Sequence, residues 1–163
     1  MNNTQHALRD LIHDTLKNIQ KHKAGEIINW TLRNLIAKYS LANDYYYTTQ
    51  KTLDFIEQQG LEITKRGIRR KKNKITFEHP VPSKVIADEF ITKHDPDYIN
   101  KILVDTDAVV ILSHDENNIL KKNGLNKAMP KNWKFGDSIF ARYDFCEIKV
   151  LKKKIKMKGA IRR

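Results

Sequence analysis

The stretch Ala108-Val109-Val110-Ile111-Leu112-Ser113-His114-Asp115-Glu116 holds a strand and a helix start side by side. An uninterrupted apolar run from Ala108 to Leu112, rich in β-branched residues, describes a strand buried on both faces. Ser113 followed three residues later by Glu116 is a capping box, so a helix opens at once and runs through Ile119 and Leu120 until Gly124 ends it. A strand of this kind must lie inside a sheet whose two faces are covered by other elements.

Upstream, Asp95-Pro96-Asp97 is a helix start with proline in the first turn, leading through Ile99, Ile102 and Leu103. Ser83 is expected to cap a short helix that turns Val85, Ile86, Phe90 and Ile91 inward. Residues 74–79, Lys-Ile-Thr-Phe-Glu-His, alternate polar and apolar as a half-buried strand does, and Pro80 and Pro82 end it. Before these lie three helical patterns. Thr4 is expected to cap the first, whose apolar face is Leu8, Leu11, Ile12, Leu16 and Ile19. Ile28, Leu32, Leu35, Ile36 and Tyr39 repeat the spacing. The third is expected from about Tyr46 to Gln59, with Thr49, Leu53 and Ile56 inward and Gly60 just past its end. Downstream, Ile139–Tyr143 and Ile148–Met157 read as two strands.

Helices first and mixed strands later give an α+β class, N-terminal helices packed on a small mixed or antiparallel sheet. The 163 residues suit one domain, helical over 1–60 and strand-containing and basic over 61–163. Cys146 is the single cysteine, which rules out an intrachain disulfide and a thiolate metal cluster; its apolar surroundings suit a small buried hydrophobe. No apolar run approaches the length of a membrane span, and the N-terminus lacks a signal-peptide pattern, so the expected setting is the cytoplasm.

The formal charge of +12 is concentrated. Lys65, Arg66, Arg69, Arg70, Lys71, Lys72 and Lys74 fall within ten residues that hold no acid. Lys149, Lys152, Lys153, Lys154, Lys156, Lys158, Arg162 and Arg163 fall within fifteen residues at the other end that likewise hold no acid. Between them, residues 75–148 carry nine basic and twelve acidic side chains. Such clusters suit an extended polyanion, because each phosphate contact releases counterions. A solvated loop, or an edge strand protected by lysines, is the plainer alternative. Zinc-finger spacing, RNP-like aromatic pairs, a GXXG loop and a helix-turn-helix are not found, so base readout is not legible. Trp133 within Pro130-Lys-Asn-Trp-Lys-Phe135 either clamps a base between lysines or anchors its loop on the core.

Four constellations bear on chemistry. His79, at a strand end rigidified by the two prolines, sits where an imidazole can serve as acid or base in phosphodiester cleavage. Glu78, on the opposite strand face, is not expected to partner it, and a surface or structural histidine is the plainer alternative. His114-Asp115-Glu116 follows the central strand, where sites gather in open sheets, and with Asp107 it is a conceivable metal site; the helix cap already explains Ser113 and Glu116. Glu147-Ile-Lys149, on an expected strand, projects a carboxylate and a lysine from one face. With Asp137 or Asp144 these few positions resemble the core of restriction-endonuclease-like nucleases, which implies Mg²⁺. Arg142-Tyr143 can neutralise and hold a phosphate, or Arg142 is a structural residue on a strand, paired with Asp144 or Glu147. Gly-rich phosphate loops, GxSxG, HExxH and EF-hand patterns do not occur.

The expectation is a small nuclease cleaving DNA or RNA phosphodiesters, with His79, His114, Arg142, Tyr143, Glu147 and Lys149 as site residues and the two basic segments holding the strand. The alternative is a non-catalytic DNA- or RNA-binding protein whose helical part binds a partner or forms a homodimer.

Overall fold

The computed structural model describes residues 1–22, 26–64 and 74–157. Within them lie seven helices and four strands, in the order α1 (Asn3–His22), α2 (Glu26–Leu41), β1 (Tyr45–Thr48), α3 (Gln50–Gln58), β2 (Ile75–Glu78), α4 (Ser83–Thr92), α5 (Pro96–Asp105), β3 (Val110–Ser113), α6 (His114–Lys122), α7 (Ala141–Phe145) and β4 (Ile155–Lys156). The sheet runs β2-β3-β1-β4. β3 pairs parallel with β1 and antiparallel with β2, while β4 pairs antiparallel with β1. The class is α+β, with a mixed sheet and helices leading the chain.

β3 is the interior strand that its apolar run dictates: Val110, Ile111, Leu112 and Ser113 are all buried. Its two faces sort the core. Val109 and Ile111 join Tyr46, Ile56 and Met157 on one side; Val110 and Leu112 join Leu120, Leu125, Tyr143 and Ile148 on the other. A third cluster lies among α1, α2, α4 and α5, built on Ile12, Leu16, Leu32, Ile36, Phe90 and Leu103. Each such side chain stabilises the fold by about 1.5–3 kcal/mol on burial.

Local signals hold where they are strong. Asp95 caps α5 by accepting from the Tyr98 N–H, and Ser113 and Glu116 form the reciprocal capping box of α6. Gly60 and Gly124 both adopt positive φ just beyond their helices. The following Leu125 N–H reaches back to the Leu120 carbonyl, and Gly124 N–H to that of Lys121, closing a Schellman motif.

Other expectations give way. Tyr45–Thr48 is a strand rather than the start of a helix, and Thr49 is the N-cap of α3, accepting from the Thr52 N–H. Asn2, not Thr4, caps α1, its Oδ1 accepting from the Gln5 N–H. α4 follows Pro82 with no side-chain cap, so Ser83 is its first residue and not its cap. Ile139–Tyr143 is not a strand: α7 starts at Ala141. Of Ile148–Met157, Ile155 and Lys156 pair in β4 and Val150 makes one isolated bridge to Thr49. No helix among the described residues is long and apolar enough to cross a membrane.

Candidate active site

The register of β2 against β3 decides which site residues meet. Ile75 faces Ser113 and Glu78 faces Val110, so His79 leaves one end of the strand pair and His114 the other. Five residue steps of about 3.3 Å separate them by roughly 16 Å. The two histidines do not converge. Asp107, before β3, is likewise remote from Asp115 and Glu116, beyond it, and binds the Gln5 side chain instead (2.9 Å). The conceived metal site across His114 does not assemble, and no group of three or more His, Cys, Asp or Glu side chains among the described residues could hold a metal ion.

Arg142 and Tyr143 do come together, with Glu78 and the backbone carbonyl of His79. Arg142 is fully buried. Its Nη1 donates to the Leu125 carbonyl (2.7 Å), and its Nη2 to Glu78 Oε2 (2.9 Å), the His79 carbonyl (2.5 Å) and the Tyr143 hydroxyl (3.2 Å). The Schellman turn at Gly124 sets the Leu125 carbonyl, α7 delivers the guanidinium, and the end of β2 supplies the rest. A guanidinium so enclosed cannot reach a substrate phosphate; it ties α7 and the 125 turn to the strand end. Tyr143 is also fully buried, and burial pushes its phenol well above the ordinary range. Arg142 and Tyr143 are therefore positioning residues, and the expectation that they touch phosphate is corrected.

Glu78 sits between this network and solvent. Burial pushes its carboxyl above the ordinary value, and the Arg142 charge and hydrogen bond pull it back without cancelling the rise. Together with His79 it lines a cavity of about 350 Å³, near the lower end of the roughly 300–1,000 Å³ typical of small-molecule sites. Consecutive residues share this cavity because β2 is an edge strand and ends at Glu78. Across from them stand Arg33 of α2, Lys84 of α4 and Lys127 of the loop after α6. Ser83, at the start of α4, also lines the wall, and this helix start carries no side-chain cap. Asp88 pairs with Lys84 (2.5 Å) and lies 3.7 Å from Arg33. Both pairs are partly exposed, worth about 0–1 kcal/mol, and are readily exchanged for a stronger anion.

Other expected site residues fall elsewhere. Glu147 and Lys149 are exposed, and Glu147 turns the chain with φ +57° just after α7, so the strand face that would align them is not there. His114 is exposed at the first position of α6. Cys146 packs partly buried beside Val110 and Leu120, and burial pushes its thiol up, as suits a small hydrophobe.

Of the basic segments, Lys65, Arg66, Arg69, Arg70, Lys71 and Lys72 lie outside the described residues, as do Lys158, Arg162 and Arg163. Lys74 is described: its carbonyl accepts from the His114 N–H (2.7 Å), so this run joins β2 at the His114 end. Lys152, Lys153, Lys154 and Lys156 are exposed along the β4 edge, with Lys154 over the Tyr47 ring and Lys156 over that of Tyr45. Lys74 and the lysines near β4 thus lie at opposite edges of one sheet.

Arg33, Lys84 and Lys127 carried no signal in the sequence, since each is an isolated cation gathered by tertiary packing. Comparison of the chain with family models, with curated proteins and with solved structures finds no match.

Proposed function

We propose that the chain binds nucleic acid and cleaves its phosphodiesters, DNA or RNA, at the cavity formed by Glu78 and His79. The observation that carries the reading is that one cavity is lined by His79, by Glu78 with its carboxyl of raised pKa, and by three cationic residues near the start of α4. Arg33, Lys84 and Lys127 hold the phosphate and offset the charge that builds on its oxygens in the transition state. Glu78, a stronger base for its burial, takes the proton of the attacking oxygen, the neighbouring 2′-hydroxyl in RNA or a water in DNA. The new O–P bond forms, the P–O bond to the leaving nucleoside breaks, and His79 returns a proton to the departing oxygen. Arg142 keeps Glu78 oriented and favours its ionised form. The chemistry is thus read onto His79 and Glu78 and away from His114, Glu147 and Lys149.

A second reading, a non-catalytic DNA- or RNA-binding protein, draws on the β4 edge, where a row of exposed lysines runs beside Tyr45 and Tyr47. One experiment separates them. The chain is incubated with labelled single- and double-stranded DNA and RNA, with Mg²⁺ or with EDTA, and both retardation and cleavage are scored. Cleavage that survives EDTA is expected. Retardation without cleavage in either condition leaves the second reading, and no retardation at low salt overturns both.

A further inference from the structure

We infer that the groove between α4 and the loop of residues 126–135 is a base-stacking subsite for single-stranded nucleic acid, with Trp133 as its platform. The inference rests on the nucleic-acid reading above and extends it to a second place on the molecule.

The cavity at His79 and this groove have the same two walls. Ser83 and Lys84 of α4 face Asn126 and Lys127 at the cavity; Val85 and Glu89 of α4 face Met129 and Trp133 at the groove. The two therefore lie next to each other along the helix, lined by successive residues of α4 and of the loop. From Ser83 to Thr92 the helix rises about 14 Å. That holds more than one nucleotide, because stacked bases rise about 3.4 Å each along a strand. A strand whose phosphate lies by His79 therefore places a neighbouring base against Trp133.

The loop is built to hold the indole still. Trp133 Nε1–H donates to the Ser138 carbonyl (3.0 Å), Phe135 meets the ring edge-on at 5.0 Å, and the Trp133 N–H closes a turn onto the Pro130 carbonyl. One side of the indole packs on the helical core, so the anchoring role that the sequence allows is real. The ring nevertheless lines the groove as well, and a ring held in place costs little ordering when a base stacks on it.

Charge agrees with the choice of occupant. The acids on the α4 wall are already paired, Asp88 with Lys84 and Glu89 with Lys93 (2.8 Å). The loop adds Lys127, Lys131 and Lys134 with no acid between Asn126 and Phe135. Of these Lys134 lines the groove beside its apolar floor, with Lys127 and Lys131 elsewhere on the loop, and that arrangement fits a base attached to phosphates. A duplex hides the faces of its bases, so the stacking site selects single strands.

The test uses the Trp30→Phe variant, which leaves Trp133 as the sole tryptophan. It is titrated with a 2′-O-methyl RNA hexamer, a matched hexamer with abasic positions, and a duplex. Saturable quenching by the base-bearing hexamer is expected, with the abasic hexamer binding about 5- to 150-fold more weakly. In the otherwise unaltered chain, Trp133→Ala weakens the base-bearing hexamer by a similar factor, and Trp133→Phe restores most of the binding. A hexamer that binds with unchanged Trp133 emission, or an abasic hexamer that binds equally well, overturns the subsite and leaves the nucleic-acid reading standing. Equal quenching by duplex overturns the single-strand assignment. A hexamer that does not bind even at low salt removes the nucleic-acid reading itself.

Discussion

Both ends of the β2–β3 pair carry a histidine and a glutamate, and the two glutamates sit in opposite surroundings. At the His114 end, Glu116 accepts from the Ser113 N–H and hydroxyl and from the Thr52 hydroxyl, and is buried. Burial alone raises its carboxyl, but these bonds outweigh it and hold the group below its ordinary value. It joins the starts of α3 and α6, while His114 stands outside in solvent. At the His79 end, burial wins over Arg142 and the Glu78 carboxyl is raised. Here one side of the carboxylate is tied to the scaffold and the other faces a cavity lined by cations. A carboxylate satisfied by its own scaffold is architecture; one left proton-hungry beside a cavity is available for chemistry.

The contrast can be broken most severely at Arg142. Arg142→Met leaves Glu78 without its cation and strips a donor from two carbonyls, so it is expected to cost about 3–5 kcal/mol in urea unfolding at neutral pH. Adding Glu78→Gln should recover part of that loss. A cost below about 1 kcal/mol in the single variant would show that the buried network does not hold the strand end.

A smaller effect, of about 1–3 kcal/mol at neutral pH, is expected for Glu116→Gln, which weakens a buried set of bonds. Its pH dependence is the sharper readout. The folded pKa of Glu116 lies below its free value, so its contribution is complete above the usual 4.5 and fades as pH falls through the folded value. The gap to the parent chain should close in acid. Glu78 has the reverse sign: its folded pKa is raised, so its contribution is greatest below 4.5 and declines as pH rises through the folded value. The two Glu→Gln variants should therefore show opposite pH slopes, and slopes of one sign would erase the distinction drawn between the ends.

The smallest effect is expected where the sequence suggested a metal-dependent nuclease. Glu147→Gln with Lys149→Met changes two exposed side chains and should shift stability by no more than about 0.5 kcal/mol, with cleavage unchanged. A large loss of cleavage would return the chemistry to that turn.

What the sequence discloses follows the range of the forces involved. The β3 run, the Ser113–Glu116 box, the Asp95–Pro96 start and the Gly60 and Gly124 stops are all legible, because each is settled within a few residues. Tyr45–Thr48 is misread because its strand state is imposed from afar, by Val110 and Ile111 on one side and Ile155 and Lys156 on the other. Apolar spacing over so short a run fits either period. Ala141–Phe145 is misread for a related reason: what fixes Arg142 and Tyr143 is the bond to Glu78, 64 residues away in sequence. The candidate site is half legible on the same grounds. His79 stands out beside its prolines, whereas Arg33, Lys84 and Lys127 belong together only after α2, α4 and the 126–135 loop have packed. The charge map suggests the class of partner that the proposal adopts, yet it is silent on the cavity.

The central claim is that chemistry sits at the His79 end and not at the His114 end. The direct measurement is the cleavage rate of labelled RNA and DNA by His79→Ala and His114→Ala, each checked for unchanged unfolding and run with EDTA and with Mg²⁺. A loss of about 10²–10⁴-fold is expected for His79→Ala, with His114→Ala within about threefold of the parent chain. Activity that disappears with His114 and survives without His79 would contradict the account.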